Sequence, residues 1–274
     1  MQLGVNTILV LLPVLYCVVG MGYAHLYTRK SSGLASHARA LLLGTVALHL
    51  LFSLLRGLQI GSCPVASPAE FCSLVAFCIA LIYVGLEMRT SDRSTGVFIL
   101  LAVFLMQVIA SVFILSHPQA PERTLGMLTS LHAATAVLSL SGIVVASIYG
   151  LLYLCLYTAI KSGRFGLFYQ RMPSLEALSL FNSRAAWIGF LALSVTLFCG
   201  YFTRSGELSM VARVGAWSAE VLLTWAAWLL YGGCLAAHRV LHVGGKRLAY
   251  STLLGLLLVL SILAVGLLEE GFHG

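Results

Sequence analysis

The chain has 274 residues, of which 60% are hydrophobic and 9% charged, with a mean hydropathy of +0.99. A soluble domain carries about 25% charged residues, so a water-facing surface is excluded for most of this chain. The net charge of +7 is scattered rather than gathered on one polar domain, which argues against a nucleic-acid partner.

Eight apolar runs follow one another, each close to the roughly 20 residues that a helix needs to cross a hydrocarbon core of about 30 Å. The first covers residues 3–27. It is longer than a signal-peptide core and has no basic stretch before it, so it reads as a retained helix. Residues 40–58, 71–87, 95–114 and 128–160 follow. The third run is short enough to admit a re-entrant segment, and the fifth is long enough to tilt or to extend past the bilayer. Residues 187–201 with a lead-in from 178, then 214–238 and 248–267, complete the set. Turn-rich breaks at 61–68 and 117–121 and a longer one at 161–173 separate the runs, and no internal repeat is visible. The expected fold is therefore all-α: one polytopic transmembrane domain over residues 1–274 with about eight membrane-spanning helices.

Eight spans put both termini on one side. With that side extracytoplasmic, the outer loops hold only Arg56, Arg123, Arg204 and Arg213, and the other twelve basic residues lie inside. This is the bias that orients membrane proteins, and it predicts an N-out, C-out chain. Seven cysteines are dispersed, and the absence of Cys-x-x-Cys excludes a thioredoxin-like motif and a c-type haem attachment site. Cys63 and Cys72 share one outer stretch, either as free thiols or as a disulfide.

Ionisable groups inside spans are costly and are functional candidates by default. His25, His37, His117 and His242 fall at helix ends or in loops and read as solvated. His49 lies ten residues into the second run, near mid-membrane, with Arg56 at i+7 on the same face. His132 opens the fifth run and His273 stands just beyond the eighth, so two imidazoles are expected on the outer side. In the seventh run Trp217, Glu220, Thr224, Trp228, Tyr231, Leu235 and His238 recur at helical spacing on one face. Glu220 and Thr224 within that stripe indicate a face turned toward protein or a cavity; aromatics at its two ends are equally what an interfacial belt supplies. Aromatic walls with two histidines suit a planar, iron-bearing macrocycle. No phosphate-binding, nucleophile-elbow or zincin motif competes.

Several stretches then resemble the cytochrome c assembly family of membrane proteins, the CcsA/ResC/HemX-like group. They are CPVASPAEF at 63–71 with IYVGLE at 82–87, the small-residue helix from His132 through Tyr149 and Tyr153, and MPSLE at 172–176 with Arg184 and IGF at 188–190. Trp217, WLLY at 228–231, His238-Arg239 and the terminal GFHG extend the match. The resemblance implies that His132 and His273 are axial ligands of an outer-face haem b, and that His238 takes haem on its way across. His49 has only a position suited to an inner haem. Haem, an apocytochrome c and a second membrane subunit would be partners, in a bacterial-type inner (cytoplasmic) membrane. Members that attach haem carry W-G-x-x-W-x-W-D before the seventh span. Here Trp217 alone remains and Ser218 stands at the aspartate position, which brings the chain closer to shorter HemX-like relatives. A holocytochrome c synthetase component, a HemX-like regulator or transporter, and a haem-bearing anchor of a respiratory complex are the readings this leaves.

Overall fold

The computed structural model describes residues 2–29, 33–61, 63–65, 67–90, 92–116, 126–205, 219–241 and 244–272. These are helical almost throughout, without a strand: α1 Gln2–Arg29, α2 Gly33–Ile60, α3 Pro68–Thr90, α4 Gly96–Ser116, α5 Met127–Lys161, the short α6 Leu167–Arg171, α7 Leu175–Ser205, α8 Ala219–Val240 and α9 Gly245–Phe272. Eight of them are long and apolar enough to cross a membrane. Each expected run lies in one of those eight, apart from Thr95, which precedes α4, and residues 214–218, which fall outside the described residues. Even the run that looked short is a full helix, because α3 continues for about a turn at either end, from the capped Pro68 to Thr90. At about 1.5 Å per residue its 23 residues reach about 34 Å, a complete crossing.

The helix ends are written in the sequence. Ser67 accepts a hydrogen bond from the Glu70 amide at 3.1 Å with Pro68 in the first helical position, an N-cap followed by the residue that needs no amide partner. Ser174 caps α7 in the same way, accepting from the Ala177 amide at 3.2 Å, so the Pro-Ser-Leu-Glu stretch at 173–176 is a helix start. At the other ends, Gly61 (φ 70°) closes α2 with a single bond to the Gly57 carbonyl at 2.9 Å. Gly163 (φ 65°) closes α5 with paired bonds, Gly163 to Ile160 and Arg164 to Ala159. Both sit in the left-handed region that glycine enters without a Cβ penalty.

Packing separates two compact units: Met1–Ser130 with Ala159–Pro173, and Leu131–Thr158 with Ser174–Gly274. In the first, α1 packs on α2 and α4, and α3 on α2 and α4, which closes a four-helix ring. α1 turns Val5, Leu9, Leu12, Tyr16, Val19 and Tyr23 inward at intervals of three and four, while Leu3, Val10, Val14 and Met21 remain exposed as a lipid-facing surface. In the second unit α9 packs on α7 and α8. α5 crosses α7 where Gly142 meets Gly189: a Cβ on Gly142 would lie 2.5 Å from the Gly189 amide nitrogen. Lipid gives helices no hydrophobic reason to associate, so close approach at small residues takes over that role.

Candidate functional site

His132 sits in the first turns of α5, half-buried, with Nδ1 2.9 Å from the Thr196 carbonyl of α7. A carbonyl can only accept, so Nδ1 carries the proton and Nε2 carries the lone pair. Nε2 makes no hydrogen bond to any described residue. The ring reaches that carbonyl because residue 200, one turn on, is glycine: a Cβ there would lie 3.0 Å from His132 Cε1 and 3.2 Å from Nδ1. Thr196 is itself fixed, its hydroxyl donating to the Ala192 carbonyl at 2.9 Å and lying 3.0 Å from Thr135 Oγ1. An imidazole whose Nδ1–H is held by a backbone carbonyl is oriented as metal-binding histidines are, with its basicity raised and one nitrogen aimed outward. His273 and Trp217 lie outside the described residues, as does the side chain of Glu220, whose backbone belongs to the first turn of α8.

The stripe on α8 faces protein, as its polar members suggested. Tyr231 and Leu235 are buried and Trp228 is half-buried. Trp228 stacks on Phe190 of α7 (centroids 5.6 Å apart, 27° between planes) and donates its indole N–H to Ser194 at 2.8 Å. The Tyr231 ring lies on Gly255 of α9 and its hydroxyl donates to the Thr252 carbonyl at 3.1 Å. These rings join α8 to α7 and α9. His238 is half-buried near the C-terminal end of α8 and is engaged in contacts of its own.

In the first unit, His49 and Arg56 share the inward face of α2, as their i+7 spacing required. His49 is fully buried and both ring nitrogens are occupied: Nδ1 lies 3.0 Å from Tyr16 Oη and Nε2 lies 3.1 Å from Ser73 Oγ. Ser73 donates to Gln107 Oε1 at 3.0 Å, Gln107 Nε2 to Ser111 Oγ at 3.1 Å, and Ser111 to the Leu9 carbonyl at 2.9 Å. The last bond sets the direction of the whole chain. Residue 13 is proline, so Leu9 lacks the amide that would normally meet its carbonyl, and Ser111 of α4 supplies the missing donor. Working back, His49 donates from Nε2 and accepts from Tyr16 at Nδ1. It is neutral and has no lone pair left over, so the inner haem position suggested by depth alone would require it to abandon a bond.

Arg56 docks on Glu70 of α3, its Nε and Nη2 both 2.8 Å from Oε1. The i+7 spacing that put Arg56 on the face of His49 did not reveal this partner. Nor did it reveal a buried carboxylate at the opposite end of α3. Glu87 is 2% exposed and receives Arg39 Nε at 2.7 Å, Arg93 Nε at 3.3 Å and the Tyr23 hydroxyl. The signals were present: Glu70 stands three residues after a capping Ser-Pro, and Glu87 sits in the last turn of an otherwise apolar helix. What the sequence lacked was the pairing of α1, α2 and α4 around α3. Among the described residues no cluster of three His, Cys, Asp or Glu side chains could hold a metal ion, which leaves single-donor positions such as His132. The seven cysteines are free thiols, Cys63 and Cys72 included.

No curated protein matches the chain. The family model described as "Cytochrome C assembly protein" matches residues 65–273, which takes in α3 to α9, the capped start of α7, His132 and the C-terminal histidine. A match over that share of the sequence, on an all-helical membrane fold, places the chain in the cytochrome c assembly protein family.

Proposed function

We propose that the protein handles haem during cytochrome c maturation, with His132 supplying one axial nitrogen to haem b and His273 the other, on the extracytoplasmic side of a bacterial-type inner membrane. Family membership assigns it to cytochrome c biogenesis. The finer reading rests on one observation: His132 has its Nδ1–H held by the Thr196 carbonyl and its Nε2 lone pair unengaged, in space that Gly200 clears. That is the donor state haem iron requires, and the iron, when bound, supplies the redox chemistry. The chain's own part is to orient the imidazole, to fix its tautomer and to bring apolar helix surface around the ring. Trp217 and Glu220 would border the same side and His238 would take haem in transit. His49 and Arg56 are bonded within the first bundle. An apocytochrome c and a second membrane subunit would receive the haem. N-out, C-out orientation puts His132 and His273 at the same face.

Oxidised and dithionite-reduced absorption spectra of the purified protein, produced with ample haem, test this. A Soret peak and a sharp reduced α-band in the wild type, weakened or lost in His132→Ala and in His273→Ala but kept in His49→Asn, are expected. Folded, monodisperse protein without a Soret peak would remove the haem reading and favour a HemX-like regulator or transporter.

A further inference from the structure

We propose that the first unit carries a water-linked proton path from the Arg56–Glu70 pair to the Tyr16–His49 pair at the middle of α1 and α2. Both guanidinium donors of Arg56 go to Glu70 Oε1, and Oε2 is buried without a hydrogen-bond partner among the described residues. A buried carboxylate oxygen in a bundle of this kind requires a donor. Beside it lies a small cleft bounded by Arg56, Glu70, Ser53, Ser73, Pro64 and Leu74, with room for about one water. Arg56 and Pro64, which border the cleft, are each partly exposed.

A water in that cleft has the partners it needs. It donates to Glu70 Oε2 and to the Ser53 oxygen, and it accepts from Ser73 whenever that hydroxyl turns away from Gln107. Ser73 Oγ accepts from His49 and donates to Gln107, which leaves it one lone pair; Ser53 donates to the His49 carbonyl and leaves two. The water thus joins the carboxylate to an existing chain of bonds, and each station can pass one proton as it takes another. Once the Ser73 hydroxyl turns from Gln107 to the water, the Tyr16 hydroxyl proton moves to His49 Nδ1, the Nε2 proton to Ser73, the Ser73 proton to the water, and one water proton to Glu70 Oε2. The net change is one proton from Tyr16 to Glu70, with His49 in its other tautomer. Reversal from the aqueous side returns a proton from bulk. Apolar side chains on the same face, Val19, Leu42, Ile79 and Ala80, lie beyond Tyr16 toward the Glu87 cluster, so the path is a half-crossing open to one side only.

The test is solvent exchange at the His49 imidazole in liposome-reconstituted, carbon- and nitrogen-labelled protein, read by solid-state magnetic resonance after transfer to deuterated buffer. The His49 signal is assigned by backbone correlation to Leu48 and Leu50. The Nε2–H tautomer is expected, exchanging within the time of buffer replacement. Ser53→Val fills the cleft without touching the His49–Ser73 bond, and Glu70→Gln removes the proton acceptor while preserving shape. Either should slow exchange at least about tenfold, since it must then wait for local opening of the bundle. If one variant does not fold, the other gives the same reading. A wild-type imidazole that keeps its proton throughout, or variants that exchange at the wild-type rate, would overturn the path while leaving His132 and its haem untouched.

Discussion

If Ser111 is held in place by the gap that Pro13 leaves, then the two residues must be energetically coupled across helices. Ser111→Ala removes the hydroxyl that donates to the Leu9 carbonyl and accepts from Gln107 Nε2, so two buried groups lose a partner at once. In a water-soluble core each orphan costs about 1–3 kcal/mol. In a bilayer the unfolded helices also find partners, and measured interhelical hydrogen bonds average about 0.6 kcal/mol with a maximum near 1.7. The expected loss is therefore about 1–2 kcal/mol, well below the sum of two soluble-protein penalties. Pro13→Ala restores an amide at position 13 that can bond to Leu9 within α1. In that background Ser111→Ala should cost less by about 0.5–1 kcal/mol, because only Gln107 is then left wanting. Reversible unfolding in mixed detergent micelles of the wild type, both single variants and the double variant gives the cycle. A coupling energy within about 0.3 kcal/mol of zero would sink the claim that Ser111 repairs the proline.

At the α5–α7 crossing, Gly142→Ala puts a methyl 2.5 Å from the Gly189 amide nitrogen and 3.1 Å from the Ala185 carbonyl oxygen, so the helices must part. A loss of about 1–3 kcal/mol is expected in the same unfolding assay, whereas Gly85→Ala, with open space around it, should change little. Burial pushes the Cys63 thiol, in the loop before α3, above its ordinary range. A folded-state pKa raised in this way keeps the thiol protonated. Its contribution to stability is whole below the unfolded thiol's pKa of about 8.5 and is lost as pH rises through the higher folded value. In a variant retaining only Cys63, the pH midpoint of alkylation should lie above that of a small free thiol; a midpoint at or below it would refute the burial argument.

The helices were legible because length and apolarity set them, and neither depends on what packs against what. Their ends were legible where a Ser-Pro pair or a glycine stands at a break. The inward stripe of α8 was legible from spacing, yet spacing could not tell a wall for a ligand from a surface for α7 and α9. Trp228 on Phe190 and Tyr231 on Gly255 are contacts that spacing alone did not name. Arg56 was recognised as costly in a membrane, but its partner Glu70 lies on the next helix, in a position that reads as a cap. Pairings of this type depend on which helices become neighbours, and in lipid that choice is made by small residues and polar chains whose members look ordinary one at a time.

His49 and His132 show why burial and depth are poor guides to a ligand. His49 is the deeper and by depth the better candidate, but its state is fixed by a proline four helices' worth of bonds away. Pro13 frees the Leu9 carbonyl, Ser111 must donate to it, and each following group is then forced to accept before it donates, until His49 is left with a proton on one nitrogen and a donor facing the other. His132 is more exposed and stands near a helix start, where a bland interfacial role is the usual one. Its single bond, however, ends on a carbonyl, which can take only a proton-bearing nitrogen, and so the second nitrogen keeps its lone pair. Availability for iron is decided by the donor or acceptor character of what each ring nitrogen faces. On that criterion His132 keeps a nitrogen open to a metal, and His49 has both nitrogens engaged within the bundle that surrounds it.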